Sequence, residues 1–245
     1  MKDEGGRMKT RFILHPSPFP PMLYHLNLEE MEGRWIAFVA ELPGCFASDA
    51  DQTVALAKAP YAVADYWGWL RAHGEAVPDE PIQTRVDEIH RAWNSEPDYE
   101  VNAFFAADRP PLIPDEIARA LRLQEWSRAD LLASVAGLSP DDLAREIEEG
   151  WSIRRILQHV GGAEWWYLDR LGLAFPQAEV PEDAFVRLEK VRAHFRMVLP
   201  SLAGDARLAE PDHELWSPRK MLRRALWHER DHTDHILQFR RRLTE

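Results

Sequence analysis

The residues best suited to chemistry in this 245-residue chain are histidines near its C-terminus. His228, His232 and His235 are spaced four and then three residues apart, which places them on one face of an α-helix. Ala225 and Phe239 continue the same face, so we expect this face to point into the protein core. Buried imidazoles need partners, because an unpaired buried polar group costs roughly 1–3 kcal/mol.

A further histidine, His159, belongs to a separate predicted helix, where Ile156 and Trp166 share its face. We expect this face to point inward as well. Protonated imidazoles that face one another repel, and a divalent cation removes that difficulty. Zinc and nickel both accept two histidines at i and i+4 together with a third from a facing helix. The sequence therefore predicts one metal ion bound by His159, His228 and His232.

The same histidines admit other interpretations. A lone histidine on an apolar face is more often a hydrogen-bonded core or rim residue than a ligand, and only the pattern of four favours a metal. His235 has three open roles: a fourth ligand, a hydrogen-bond donor to a ligand, or a structural residue.

The string from His228 to His232 also matches the H-E-x-x-H motif of zinc peptidases, in which the glutamate is a general base. The extended motif requires glycine at 235 and histidine at 238, and this chain has His235 and Gln238 there. A peptidase is therefore a weak hypothesis, and we expect Glu229 on a solvated or interhelical face.

Four long helices are predicted to position these residues. Pro114 suits a first helical position, and Ser152 and Ser217 are typical N-caps. The predicted helices span 114–137, 152–171, 182–199 and 217–243, with a short connecting helix that opens at Ser139. Every segment after Pro114 is predicted to be helical. Four amphipathic helices joined by loops predict a bundle over residues 114–245.

The first part of the chain has a different pattern. Alternating apolar residues at 22–28 and 34–42 predict an antiparallel hairpin, and a Pro-Gly turn leads to a third strand at 45–48. A helix capped by Asp51 or Thr53 should run to about Ala72. Further predicted elements are strands at 82–89 and 99–105, a turn at 94–97, and an extended proline-rich linker at 108–114. The fold class is α+β, with a small N-terminal domain at 18–108 before the bundle.

Composition limits the possible functions. The net charge is −11, and such a chain lacks the positive field that nucleic-acid binding requires. A single cysteine, Cys45, excludes an intrachain disulfide and fits a reducing compartment. No run approaches the roughly 20 apolar residues of a membrane span. Residues 1–11 do not have the pattern of a signal peptide, and the proline-rich segment 15–21 cannot form a helix. We therefore expect a cytoplasmic protein.

The C-terminal half resembles the DinB-like metal-binding bundles, relatives of bacillithiol S-transferases and of mycothiol-dependent maleylpyruvate isomerase. The resemblance lies in residues 151–160, WSIRRILQHV, and in residues 226–232, LWHERDH. The family's histidine from its second helix falls on His159, and its H-x-x-x-H pair falls on His228 and His232. Relatives often carry glutamine at the position of His235, which leaves the metal and its coordination number open.

The resemblance implies a zinc or nickel ion at one end of the bundle and, as in many members, a homodimer. In the characterised branches a low-molecular-weight thiol is the cofactor that the metal activates. A metal-bound thiol is deprotonated at neutral pH, whereas metal-bound water would give a hydrolase. A thiol-linked transferase and a hydrolase, each with a small-molecule substrate, therefore both stay open.

The N-terminal part resembles the HicB-like antitoxin fold. The resemblance lies in the order of two strands, the turn ELPGC at residues 41–45, a short strand, and a helix that begins near Asp51. It implies that Cys45 is packed rather than reactive. No ribbon-helix-helix or helix-turn-helix tail for operator binding is present, so we interpret this region as an assembly or partner-binding module. The alternative to an enzyme is thus a non-enzymatic protein that binds a partner and whose metal is structural.

Overall fold

The computed structural model describes residues 21–97, 99–148 and 150–243. The predictions for residues 1–11 and for 15–20 lie outside the described residues. The chain has the predicted α+β class: a mixed sheet with one helix comes first, and a mostly helical region follows.

The N-terminal sheet has four strands in the order β3-β2-β1-β4, covered by helix α1. The elements are β1 (Met22–Met31), β2 (Arg34–Val39), β3 (Phe46–Asp49), α1 (Gln52–Ala72) and β4 (Ile82–Arg91). The predicted β1–β2 hairpin is confirmed as antiparallel, and β4 joins the other edge of β1 in parallel. Asp51 caps α1, because its side chain accepts a hydrogen bond of 3.0 Å from the backbone N–H of Val54.

The predicted turn at 94–97 is wrong in its position. Residues 94–96 belong to strand β5 (Trp93–Glu96), which pairs with β6 (Tyr99–Val101) so that Trp93 lies opposite Val101. The predicted strand at 99–105 ends at Val101. The chain leaves the sheet there, because the backbone N–H of Ala103 donates to the buried carboxylate of Glu29 at 2.7 Å instead of to a strand partner.

The C-terminal half contains four long helices and one short one. They are α2 (Pro114–Ser134), the short α3 (Pro140–Ala144), α4 (Ile153–Asp169), α5 (Ala184–Val198) and α6 (Pro218–Arg242). The predicted serine caps are confirmed, since the side chains of Ser139, Ser152 and Ser217 each accept a hydrogen bond from a backbone N–H three residues later. Each cap satisfies one of the N–H groups that a helix start leaves unpaired.

The prediction that every later segment is helical is wrong between α3 and α4. Two short strands, β7 (Glu146–Glu148) and β8 (Trp151–Ser152), pair there in antiparallel fashion. The reversal needs a residue with positive φ, and Gly150 supplies it at +74°. The backbone N–H of Gly150 also donates to the Glu146 carboxylate at 3.0 Å.

A cluster of four charged side chains, three of them buried and Arg128 partly buried, ties the long helices together and is here called the ionic cluster. Each long helix contributes one member: Arg128 from α2, Glu164 from α4, Arg192 from α5 and Glu229 from α6. Each arginine donates to both glutamates. Because every charge has partners of opposite sign, this cluster fixes the relative positions of α4 and α6, the helices that carry the histidines.

The sheet and the helical region share one apolar core. The largest cluster of buried apolar side chains includes Leu26 and Leu28 of the sheet together with Leu168 and Met221 of the helices. The connecting segment is held on α6, where the Arg223 guanidinium pairs with buried Asp108 at 2.8 Å. The division into domains at 18–108 and 114–245 stays a prediction. Among the described residues, no helix is both long enough and apolar enough to span a membrane.

Candidate metal centre

Three of the histidines converge between helices α4 and α6. His159 comes from α4, and His228 and His232 come from successive turns of α6. Each offers one ring nitrogen, and these nitrogens all lie within 4.8 Å of one another. The Nε2 atoms of His159 and His228 are 3.0 Å apart. We call these three residues the histidine cluster.

The expectation that all these histidines face the core is wrong for His159. His228 is buried, with 7% of its surface exposed, and His232 is half-buried, but His159 is exposed. The reason is that His159 lines an open cleft instead of packing into the core. The histidine cluster thus lies between the apolar core and solvent.

The cleft has a volume of about 760 Å³ and draws its walls from both halves of the chain. The bundle contributes the histidine cluster and the aromatic rings of Trp151, Trp166, Tyr167 and Trp227. The tip of the β1–β2 hairpin contributes Met31, Glu32 and Arg34. A cavity of this size holds a small molecule, and its walls combine aromatic rings with histidine and charged side chains that can orient a ligand.

The electrostatic surroundings keep the imidazoles neutral. Burial lowers the pKa of His228 well below its usual value, and neighbouring His232 and His159 lower it further. Burial and His159 lower the pKa of His232 to about 3. Partial burial also lowers the pKa of His159. Neutral imidazoles have the free lone pairs that a metal ion requires, so the site does not need to lose protons before it binds one at neutral pH.

The residues fit a divalent metal ion. Nδ1 of His232 is buried and has no hydrogen-bond partner among the described residues, so at least one buried polar atom of the site lacks a satisfying contact. The Nε2 atoms of His159 and His228 are 3.0 Å apart, and the three ring nitrogens lie within 4.8 Å of one another, so all three could bind one ion. Three neutral imidazoles are a donor set that suits zinc or nickel.

Comparison with known protein families decides what kind of helical domain this is. Residues 123–236 match the model of the DinB superfamily. The C-terminal half therefore carries a DinB superfamily domain. The match begins within α2, ends within α6 and includes all three members of the histidine cluster. Searches of curated proteins and of solved structures found no match.

His235 lies outside the group of converging nitrogens in the DinB domain. Its ring centroid is 5.9 Å from that of His232 and only 4.4 Å from that of Phe239. Of the three roles open for His235, this packing favours the structural one.

Glu229 does not face the cleft. Its side chain is buried, with 1% of its surface exposed, and its carboxylate accepts hydrogen bonds from Arg128 and Arg192. Burial opposes ionisation of this carboxyl group, but the two guanidinium groups outweigh burial and lower its pKa. Of the two expected faces, the interhelical one is confirmed and the solvated one is wrong. A glutamate held in this way is not available as the general base of a peptidase.

The residues that reach the cleft from other elements were not predicted from the sequence. Arg34 of β2 forms a bidentate ion pair with Asp231, the residue before His232. Arg187 of α5 lines the same cleft. The sequence carries no signal for the first contact, because 197 residues separate its two members.

The N-terminal region lies outside the family match, so its HicB-like resemblance stays a prediction. The structure does agree with one consequence of that resemblance. Cys45 is buried, its Sγ lies 3.6 Å from the carbonyl oxygen of Ala62, and burial raises the pKa of its thiol to about 12. A thiol in this state is packed rather than reactive.

Proposed function

We propose that the chain is a metal-dependent enzyme that acts on a small molecule bound in the cleft. In this proposal His159, His228 and His232 hold one divalent ion, zinc or nickel. The convergence of three neutral imidazoles at the edge of a cleft of about 760 Å³ supports it. When bound, such an ion lowers the pKa of a coordinated thiol or water, so that a nucleophile is available at neutral pH.

The chain's own residues supply the surroundings that this chemistry needs. The ionic cluster holds α4 and α6 in place, and the Arg34–Asp231 ion pair lies directly beside His232. Trp151 packs against the rings of both His159 and His235, at centroid distances of 5.6 and 6.3 Å. These contacts restrict the histidine rings and reduce the access of water to them.

A thiol-linked transferase and a hydrolase are both compatible with this site. The thiol version adds a low-molecular-weight thiol as a second cofactor, whereas the hydrolase uses water alone. A screen of the metal-loaded protein with thiols and with simple ester and amide substrates distinguishes them. Turnover that depends on an added thiol indicates the transferase, and turnover without a thiol indicates the hydrolase.

Elemental analysis of full-length protein without a histidine tag tests the metal. We expect about one zinc or nickel ion per chain in the wild type and less than about a tenth of that in His228→Ala, since three ligands hold the ion. His90→Ala, which removes a histidine from the edge strand β4, is the matched control and should retain the metal. Far-UV circular dichroism should show that His228→Ala keeps its helices. Full metal content in His228→Ala would defeat the proposal.

The non-enzymatic alternative makes a different prediction. If the metal were purely structural, its removal by a chelator should unfold the bundle, and no substrate should turn over. The ionic cluster supports the enzyme instead, because it joins all four long helices through contacts that include no histidine.

Two further proposals rest on the resemblances alone. One is a homodimer, which sedimentation equilibrium tests directly. The other is partner binding by the HicB-like region. Its test is whether the full chain forms a complex through that region that survives gel filtration.

A further inference from the structure

The cleft carries a charge that differs from the rest of the chain. Among the residues that the structure describes, four arginines line it, together with two carboxylates, those of Glu32 and Asp231. The chain as a whole has 41 acidic and 30 basic residues. A local positive excess in an acidic protein raises the concentration of anions at that place, and a divalent ion in the histidine cluster would increase the excess.

Two of these arginines are already neutralised by partners. Arg34 pairs with Asp231, and Arg224 pairs with buried Glu29 at 3.4 Å. The other two are Arg155 and Arg187. Within the part of the chain that the structure describes, neither has a carboxylate oxygen within 4.0 Å.

Arg187 is held at the cleft wall by a specific local arrangement. Its Nε donates to the carbonyl oxygen of Pro181 at 2.7 Å, and its Nη1 donates to that of Gln158 at 3.1 Å. The stem crosses α4 at Gly161, where a Cβ atom would lie 2.9 Å from Cγ of Arg187. Glycine at 161 therefore provides the space in which the Arg187 stem lies, beside the residues that flank His159.

Arg155 lies on the opposite side of His159 along the same helix. It precedes His159 by four residues, so both side chains share one face of α4. Its guanidinium carbon lies 5.6 Å from the centroid of the Trp151 ring, a cation–π contact that orients the group without neutralising its charge. Arg155, from the preceding turn of α4, and Arg187, from α5, thus line the same cleft as His159.

We propose that the cleft binds an anionic small molecule, whose carboxylate or phosphate group is recognised by Arg155 and Arg187 next to His159. The proposal rests on the proposed function, since it names the substrate class of the same site. Guanidinium groups bind carboxylates and phosphates through paired N–H donors, and both arginines have N–H groups that no carboxylate of the described residues occupies.

Isothermal titration with succinate and with inorganic phosphate tests the proposal on the full chain, and neutral succinamide serves as the matched ligand. We expect one of the two anions to bind and succinamide to bind at least about tenfold more weakly. Arg155→Gln and Arg187→Gln should each weaken anion binding by about tenfold or more. Arg154→Gln, which removes the same charge from α4 outside the cleft, should bind like the wild type. The better of the two anions identifies the carboxylate or the phosphate class.

Each titration is repeated with chelator-treated protein, because an anion can also bind a metal ion directly. Binding that survives metal removal and weakens in the arginine variants supports the proposal even if the metal assignment fails. Binding seen only with metal and unchanged in Arg155→Gln and Arg187→Gln would overturn it. Equal binding of succinate and succinamide, or no binding of either anion, would also overturn it.

Gly161→Ala provides a second test that keeps every charge. The added methyl group should displace the Arg187 stem, so anion affinity should fall about as much as in Arg187→Gln. Alanine is the better helix former by about 1 kcal/mol, so loss of the fold is not expected, and circular dichroism checks it. Wild-type affinity in Gly161→Ala would exclude the role assigned to Arg187.

Discussion

Two clusters of polar side chains lie next to each other in the DinB domain, and they differ in how completely they are satisfied. The ionic cluster contains two arginines and two glutamates, and each arginine donates to both glutamates. The two clusters are adjacent on α6, where His228 directly precedes Glu229. Neighbouring histidines of the cluster lower the pKa values of His228 and His232, and Nδ1 of His232 has no hydrogen-bond partner in the part of the chain that the structure describes.

The two clusters also differ in how much open space surrounds them. The gap between Glu164, Glu229 and His228 has no room for a water molecule, whereas the histidine cluster borders a cleft of about 760 Å³. A closed, charge-balanced network stabilises one arrangement of helices. A buried imidazole nitrogen without a hydrogen-bond partner is costly unless something else binds at the site. We therefore assign stability to the first cluster and ligand binding to the second.

Among the tests of this assignment of roles to the two clusters, we expect the largest effect from Glu164→Gln. The substitution keeps the shape of the side chain but leaves Arg128 and Arg192 with one carboxylate instead of two. Removing one partner from a buried ion network typically costs about 3–5 kcal/mol, because the remaining charge stays buried and uncompensated. Urea unfolding of the metal-free protein measures the loss, and Glu189→Gln on the exposed face of α5 should change little.

If the ionic cluster serves stability and the histidine cluster binds the metal, metal binding should survive the Glu164→Gln substitution. Glu164→Gln should bind about one metal ion per chain under conditions where it remains folded. If it lost the metal but kept its stability, the roles assigned to the two clusters would be reversed.

Much of the fold and the centre of the site could be predicted from local sequence patterns. The spacing of His228 and His232, together with the position of His159 on another amphipathic helix, identified the three residues that converge. Serine and proline at helix starts predicted the caps within one or two residues. These features are local, because helix periodicity and capping depend on residues within a few positions of one another.

The features that could not be predicted depend on contacts distant in the sequence. The pairing of Arg34 with Asp231, the exposure of His159 and the four-helix ionic cluster follow from how the elements pack. Glu229 illustrates the limit, since the local motif left open a solvated face and an interhelical face, with a general base as a weak hypothesis. The structure instead buries it between arginines that lie 101 and 37 residues away.

The next largest effect should be the difference in the free energy of unfolding between metal-loaded and metal-free protein. This difference should depend on the histidine cluster alone. A metal that binds only the folded state stabilises it by about 2.7 kcal/mol at a free concentration of 100 times Kd. Chelator-treated protein should therefore stay folded but unfold at a lower urea concentration than metal-loaded protein. His228→Ala should show no such difference. Unfolding of the wild type on chelation alone would mean that the ionic cluster cannot hold the bundle.

The smallest expected effect is the pH dependence of the stability of the metal-free protein. It distinguishes the two clusters because their side chains titrate in different pH ranges. The folded-state pKa values of His228 and His232 lie below the value of about 6.5 for unfolded histidine. The unfolded state therefore binds more protons below pH 6.5, and stability should fall as the pH falls, by up to about 1.4 kcal/mol per histidine between pH 7.5 and 5.5. The pKa of Glu229 is instead lowered from 4.5, so its stabilising contribution is lost only at more acidic pH.

Urea unfolding at pH 7.5 and 5.5 should show a loss of stability about 1.4 kcal/mol smaller in His232→Gln than in the wild type. Equal losses would mean that His232 is not held neutral in the folded protein, and the contrast between the clusters would fail.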